Sequence, residues 1–226
     1  MGSLKVLIIA VLAGGVWGAT WTPVNTGLPA SSFGITALTV DPQVPSTLYA
    51  LTTWGTIFKS ADGAVTWSPV TGVAAVNWLV LDPKHSSTLY AATSHGILKS
   101  ADGGASWISA NTGLGDGNLF ISMLAIDPVN PSTVYALMAT RLQKTTNGGE
   151  SWSVVYTVGS QNFPGWLTVD PATPSTLYIT FSNGGSISKS MDGGESWAQI
   201  KPGVAQTGFA SSAIQLAIDP EDSSIL

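Results

Sequence analysis

The sequence predicts an all-β fold built from radially repeated four-stranded units, and three observations carry that prediction. A phrase of the form Ser/Thr-x-Asp/Asn-Gly-x-x-Ser/Thr-Trp recurs at 60–67, 100–107, 145–152 and 190–197, with starts 40, 45 and 45 residues apart. A second phrase, Asp-Pro leading into a Ser-Thr-Leu-Tyr type of run, begins at Asp41, Asp82, Asp127 and Asp170 and starts again at Asp219. After residue 20 no segment keeps apolar residues at helical spacing without Gly or Pro intervening. A period of about 40–50 residues marks a propeller, a solenoid or another array, in which no single repeat buries a core alone.

Each unit reads as four strands in order. The first is the β-branched run before Asp-Pro, as in Ile35-Thr36-Ala37-Leu38-Thr39-Val40. The Asp-Pro turn leads into the second, Ser-Thr-Leu-Tyr-Ala in type, and a further turn leads into the third, which ends in Lys-Ser or Lys-Thr. The Asp phrase then reverses the chain into a fourth strand led by its Trp. Four antiparallel strands repeated radially make a β-propeller blade. The chain therefore reads as four complete blades and part of a fifth, a fragment of a six- to eight-bladed ring. Ala19-Thr20-Trp21-Thr22-Pro23-Val24 matches the Trp-led fourth strand before any unit has begun, and such an orphan strand completes the last blade of a closed ring.

Composition narrows the function. The 226 residues are 44% hydrophobic and 9% charged, which argues for a packed array rather than disorder. Net charge is −5 and Arg141 is the sole arginine, so no basic groove for phosphates is available and nucleic acid is not an expected partner. Residues 1–19 read as a signal peptide, with Lys5 before the apolar run Val6 to Val16 and small residues Gly18 and Ala19 at the cleavage site. That run is too short to span a bilayer comfortably. Residues 20–226 form the propeller, no membrane span is expected after signal removal, and the expected location is secreted, periplasmic or cell-surface. Cysteine is absent, so stability rests on packing alone.

The Asp phrase resembles the Asp-box, or BNR, repeat of sialidase-like, xyloglucanase-like and sortilin-like propellers, over about residues 20–226. The resemblance implies a structural hairpin between the third and fourth strands of each blade, on the face away from an active site. The residues agree, since Asp62, Asp102 and Asp192 can accept N–H groups within their own turns and Asn147 keeps one such acceptor. Trp67, Trp107, Trp152 and Trp197 offer large apolar faces for packing between sheets. Ala64 stands where the other three phrases have Gly, which puts the first turn's geometry in question. The lysines before each phrase, Lys59, Lys99, Lys144 and Lys189, read as solvated blade edges that discourage strand pairing.

If the Asp phrase and the Asp-Pro turn share one face, the loops before the first strand and after the second share the other, and these vary between repeats. They carry Trp54, Trp78, Trp166, Asp116, His95, Arg141 and Asn77, the candidate ligand-binding residues. Trp78 and Trp166 lie four positions before Asp-Pro, near the mouth of a central channel, and are either ligand platforms or wedges between blades. Flat aromatic faces beside amides and hydroxyls suit sugar rings.

Enzymatic alternatives find few groups. A sialidase-type site, as the resemblance implies it, takes three arginines to hold a carboxylate, and this chain has one. A xyloglucanase-like inverting mechanism takes a carboxylate pair roughly 6.5–9.5 Å apart, and Asp116 is the main carboxylate outside the two repeated phrases. Two histidines and no cysteine assemble neither a triad nor a zinc set, so no catalytic residue, metal or cofactor is assigned. Photosystem-assembly relatives with similar repeats dock partners through basic patches, which this chain lacks. The expected role is a glycan- or protein-binding scaffold with a glycan or extracellular protein as partner. The alternatives are a fragment of a glycoside hydrolase with catalytic residues partly beyond Leu226, and a structural module of a larger exported protein. Oligomerisation is expected only if the chain truly ends at Leu226.

Overall fold

In the computed structural model, residues 23–29, 34–115, 119–159, 164–181, 186–200 and 215–219 are described. The segment read as a signal peptide lies outside them. The described chain is all-β, in four separate four-stranded antiparallel meanders. The first blade holds β1 (Ile35–Val40), β2 (Leu48–Thr52), β3 (Ile57–Ser60) and β4 (Ser68–Pro69). The second holds β5 (Val76–Leu81), β6 (Leu89–Thr93), β7 (Gly96–Ser100) and β8 (Ile108–Ser109). The third holds β9 (Ile121–Ile126), β10 (Val134–Met138), β11 (Arg141–Thr145) and β12 (Ser153–Thr157). The fourth holds β13 (Pro164–Val169), β14 (Leu177–Phe181), β15 (Ile187–Ser190) and β16 (Ala198–Ile200). These are the blades of a β-propeller.

Register repeats with the sequence: Leu38 pairs with Ala50, Leu79 with Ala91, Leu124 with Ala136 and Leu167 with Ile179. The second strand of every blade is buried at all five positions, because a mid-blade strand has a paired strand along each edge and packing against its faces, from a neighbouring blade or, beside the first blade, from Val24 and Leu28. That is why these strands read as continuous apolar runs rather than as alternating ones. The fourth strands lie at the rim and are mostly exposed, and all but the five-residue β12 are short.

Blades stack through three apolar clusters. Tyr49 and Leu51 of the first blade pack with Leu79 and Leu89 of the second. Tyr90 and Ile97 pack with Leu124 and Val134 of the third, and Tyr135 and Leu142 pack with Leu167 and Leu177 of the fourth. Polar contacts run beside each cluster. Tyr49 Oη and Lys59 Nζ both donate to the Gly103 carbonyl, at 3.0 and 2.9 Å, and Tyr90 Oη and Lys99 Nζ both donate to that of Gly148, at 3.0 and 2.7 Å. Lys144 Nζ donates to the Gly193 carbonyl at 3.2 Å.

This corrects the reading of the lysines as solvated edges. Each ammonium lies 5.4 Å from the centre of its own blade's tyrosine ring, and three of the four reach into the next blade's turn. The cause is the glycine-rich turn itself, which leaves an outward-facing carbonyl where the preceding blade presents a phenol and an ammonium.

The chain before the first blade repeats an inter-blade connection. Trp67 N–H donates to Thr26 O and its indole to Val24 O, as Trp152 N–H donates to Thr112 O and its indole to Ala110 O. Val24-Asn25-Thr26-Gly27-Leu28 thus occupies, against the first blade, the place that Ala110-Asn111-Thr112-Gly113-Leu114 occupies against the third.

Candidate functional site

The two ends of the strands differ in chemistry. At one end lie the Asp-Pro turns and the Asp hairpins, tied together in every blade. Gly63, Gly103, Gly148 and Gly193 donate their N–H to Ser46, Ser87, Ser132 and Ser175 respectively, at 2.8–2.9 Å. Within the turns Asp41 Oδ1 accepts the N–H groups of Gln43 and Val44 at 2.9 and 3.2 Å, and Asp82, Asp127 and Asp170 do the same for the residues two and three positions on.

Each Asp hairpin closes in the same way. Asp62 Oδ1 accepts from Ser60 Oγ at 2.8 Å and Thr66 N at 2.9 Å, while Oδ2 accepts from Thr66 Oγ1 at 2.6 Å. Asp102 takes the same bonds from Ser100 and Ser106, and Asp192 from Ser190 and Ser196. These donors hold the carboxylates ionised, with Asp62 and Asp102 lowered to about 2 and Asp192 shifted in the same direction. Asn147 substitutes for Asp without loss of the frame, accepting on Oδ1 from Thr145 Oγ1 and Ser151 N and donating from Nδ2 to Ser151 Oγ. Ala64 keeps the turn by adopting φ +72°, a left-handed conformation that costs a residue with a Cβ on the order of 1 kcal/mol. Carboxylates so fully occupied are turn closures, not acids or bases for an external substrate.

The four hairpin tryptophans differ in partner. Trp67 and Trp152 are buried and donate to the preceding connection; Trp197 donates to Gly194 O at 2.9 Å and stacks near Tyr156. Trp107 Nε1 is buried with no hydrogen-bond partner among the described residues.

At the other end of the strands lie the candidate ligand residues. Trp54 caps the β2–β3 hairpin and is 70% exposed. In the next blade His95 stands at the corresponding tip, exposed, with its Nδ1 2.9 Å from Ser94 Oγ. Asn77 is committed across a blade boundary, donating from Nδ2 to Ile121 O at 3.0 Å. Arg141 donates from Nη2 to Leu114 O at 2.9 Å and from Nε to Met138 Sδ, so its guanidinium anchors the connection between the second and third blades. Asp116 lies outside the described residues. Phe120, just before β9, is 42% exposed.

The structure brings two candidates together. Trp78 and Trp166, from blades two apart, meet edge to face with ring centroids 5.0 Å apart and an interplanar angle of 87°. Both are half-buried against the cluster that contains Met123 and Leu167. They meet because the first strands β5, β9 and β13 converge at the axis and the third blade presents Met123, not an indole, at the same position. Trp54 and His95 stay at separate hairpin tips.

Two structural polar groups escape a reading of motifs alone. The tyrosine and lysine pairs at the blade boundaries are one. The other is Gln143, fully buried, donating from Nε2 to Leu114 O at 2.9 Å while its Oε1 has no partner among the described residues. Its signal was available: Gln143 stands where the other units have Phe58, Leu98 and Ser188. Among the described residues no three His, Asp or Glu side chains gather as a metal site.

No protein-family model and no curated protein matches the chain. Solved structures do. A GH74 enzyme from Niastella koreensis shares 26% identity with a TM-score of 0.62 over 75% of this chain and 30% of its own. An ancestral GH74 enzyme shares 20% identity with a TM-score of 0.66, over 83% of this chain and 26% of its own. YCF48 from Cyanidioschyzon merolae shares 16% identity with a TM-score of 0.51, over 73% of this chain and 58% of its own. The chain thus spans about a quarter to a third of those GH74 chains. It shares the propeller fold of these proteins and is related in structure to glycoside hydrolases.

Proposed function

We propose that this chain is a carbohydrate-binding part of an exported Asp-box propeller related to the GH74 glycoside hydrolases, and that it holds glycan without cleaving it. The observation that carries the reading is Trp54, an indole 70% exposed at a hairpin tip on the face opposite the Asp hairpins. An aromatic ring in that position offers a flat surface to the C–H face of a sugar, while nearby hydroxyls and amides serve the sugar's own hydroxyls. Phe120, 42% exposed, extends apolar surface on the same side. Trp78 and Trp166 form the floor of that face at the axis rather than separate platforms. The binding-only reading is supported by the carboxylates: apart from Asp116, they belong to or adjoin the two repeated turns.

Affinity electrophoresis in gels containing xyloglucan, mixed-linkage glucan or mannan tests the reading. Retardation by at least one polysaccharide, lost in Trp54→Ala with an unchanged melting temperature, is expected. Migration unaffected by all three removes the carbohydrate reading and leaves an extracellular protein as the partner to seek.

The 26% identity to a GH74 enzyme favours a second reading, a segment of a hydrolase that works by an inverting carboxylate pair. In that case Asp116 is one of the pair and its mate lies elsewhere in the full-length enzyme. Release of reducing ends from xyloglucan by the full-length protein, abolished in Asp116→Asn, would establish it. Binding with no release keeps the first reading.

A further inference from the structure

The third Asp hairpin differs from the others at one atom position that is chemically labile. Asn147 is followed by Gly148, and an Asn-Gly pair is the dipeptide in which a following backbone nitrogen most readily reaches the side-chain carbonyl, because glycine presents no Cβ to obstruct it. We propose that Asn147 is a deamidation site that the folded hairpin holds closed, so that conversion proceeds only when the third blade opens and the aspartate formed records that opening.

The chemistry balances without any outside oxidant or reductant. The deprotonated Gly148 nitrogen attacks Asn147 Cγ, the side-chain nitrogen leaves as ammonia, and a succinimide joins the two residues. Water then adds to one imide carbonyl and opens the ring, to aspartate if the bond to the Gly148 nitrogen at Cγ breaks, to isoaspartate if the bond at the backbone carbonyl breaks.

In the fold every participant is held away from that path. The nucleophile, Gly148 N–H, donates to Ser132 O at 2.8 Å, a bond that ties the hairpin to the Asp-Pro turn. The electrophile is turned toward the chain four residues on: Asn147 Oδ1 accepts from Ser151 N at 3.0 Å and from Thr145 Oγ1 at 2.7 Å. The leaving nitrogen donates to Ser151 Oγ at 2.9 Å. The following turn is pinned as well, since the Gly148 carbonyl accepts from Tyr90 Oη and Lys99 Nζ of the second blade. Asn147 itself is exposed, so water reaches the site and the hairpin's bonds, not burial, do the protecting.

The aspartyl product fits the place it forms in. Asp62, Asp102 and Asp192 show the same turn with a carboxylate, whose second oxygen accepts from the hydroxyl at the position of Ser151. The isoaspartyl product does not fit, because it inserts a methylene into the backbone of a turn closed by those bonds. One outcome of opening therefore leaves a blade that refolds, and the other leaves one that does not.

The test compares deamidation of the full chain in mildly alkaline buffer with and without urea, followed by peptide mapping with fragment-ion assignment to separate Asn147 from the second Asn-Gly pair at Asn183. Expected is conversion at Asn147 at least about tenfold slower in the native protein, as loss of several bonds before attack requires. Ser151→Ala, which removes the hydroxyl that holds the leaving nitrogen, should speed native conversion several-fold and leave the rate in urea unchanged. Equal rates in the native and unfolded wild-type protein would overturn the proposal. So would a native rate that Ser151→Ala leaves unaltered while circular dichroism confirms that the variant is folded. Asn147→Asp should melt with the wild type; a lower melting temperature would show that the product does not fit.

Discussion

Lys59 Nζ and Tyr49 Oη converge on one acceptor, the Gly103 carbonyl of the next blade, at 2.9 and 3.0 Å. The sharing has an energetic consequence. Removing either donor leaves the carbonyl partnered, so Lys59→Met or Tyr49→Phe alone should cost about 0.5–1.5 kcal/mol, the net worth of one hydrogen bond. Removing both leaves the carbonyl unpaired, and the double variant should lose more than the sum of the singles by about 1 kcal/mol or more. Urea denaturation of the four proteins measures the cycle; strict additivity would show that the two donors do not share the site.

The hairpin tryptophans give a second comparison. Trp152 Nε1 donates to Ala110 O at 2.8 Å and is buried, whereas the buried Trp107 Nε1 has no partner among the described residues. Trp152→Phe should therefore destabilise more than Trp107→Phe, by about 1–3 kcal/mol, because it orphans a carbonyl while the other change removes an unsatisfied N–H. Thermal melting of the two variants decides it, and equal losses would mean that only the ring volume matters at both sites.

Much of this architecture was legible in the sequence because the repeats supply internal controls. The hairpins, the Asp-Pro turns and the four strands per blade follow from phrases whose residues each close a local turn. What crosses blade boundaries was not legible. Lys59 and Lys99 look like ordinary surface charges until the Gly103 and Gly148 carbonyls are placed beside them. The candidate site was legible in part, since the repeat register puts Trp78 and Trp166 at one position near the mouth of a central channel, but not their contact. Trp78 and Trp166 lie far apart in sequence, and only the convergence of β5, β9 and β13 on the axis brings their rings to 5.0 Å. Arg141, read as a candidate for ligand contact, commits two of its five N–H donors to Leu114 O and Met138 Sδ, the first a bond that crosses to the preceding connection and neither one announced by a motif.

The connection between the second and third blades depends on Gly113. Its φ is +84°, and a Cβ built there would lie 2.2 Å from the Trp152 carbonyl oxygen, a backbone atom that cannot step aside. Gly72, at the corresponding connection before the second hairpin's Trp107, has a similar φ of +78° but its Cβ would meet only the Trp107 ring edge at 3.6 Å. Both changes to Ala bear the left-handed backbone cost of about 1 kcal/mol. Gly113→Ala should add a steric cost that takes its loss to several kcal/mol, as strain at an over-determined site does. Melting temperatures of Gly72→Ala and Gly113→Ala are the measurement, and a loss at Gly113 no greater than at Gly72 would contradict the close approach.

Stability should fall off at both ends of the pH scale, for opposite reasons. Hydrogen bonds from Thr66 and Ser60, and from Ser106 and Ser100, lower Asp62 and Asp102 from 3.8 to about 2. A carboxyl whose folded pKa is depressed binds fewer protons in the native state, so its contribution is complete above about pH 4 and is lost as pH falls through about 2. At the alkaline end burial, with Asp41, Asp82 and Asp127 adding to it, pushes Tyr49, Tyr90 and Tyr135 from 10.0 to about 12. There the native state holds protons that the unfolded chain releases, so stability is complete below about pH 10 and is lost as pH rises toward 12. Asn147 shows that an amide fits the hairpin, so Asp62→Asn and Asp102→Asn together should shrink the acid limb, Asp192 keeping its share, and leave the alkaline limb in place. Melting temperature followed across the pH range tests both limbs, and an acid limb unchanged in the double variant would move its origin away from the hairpins.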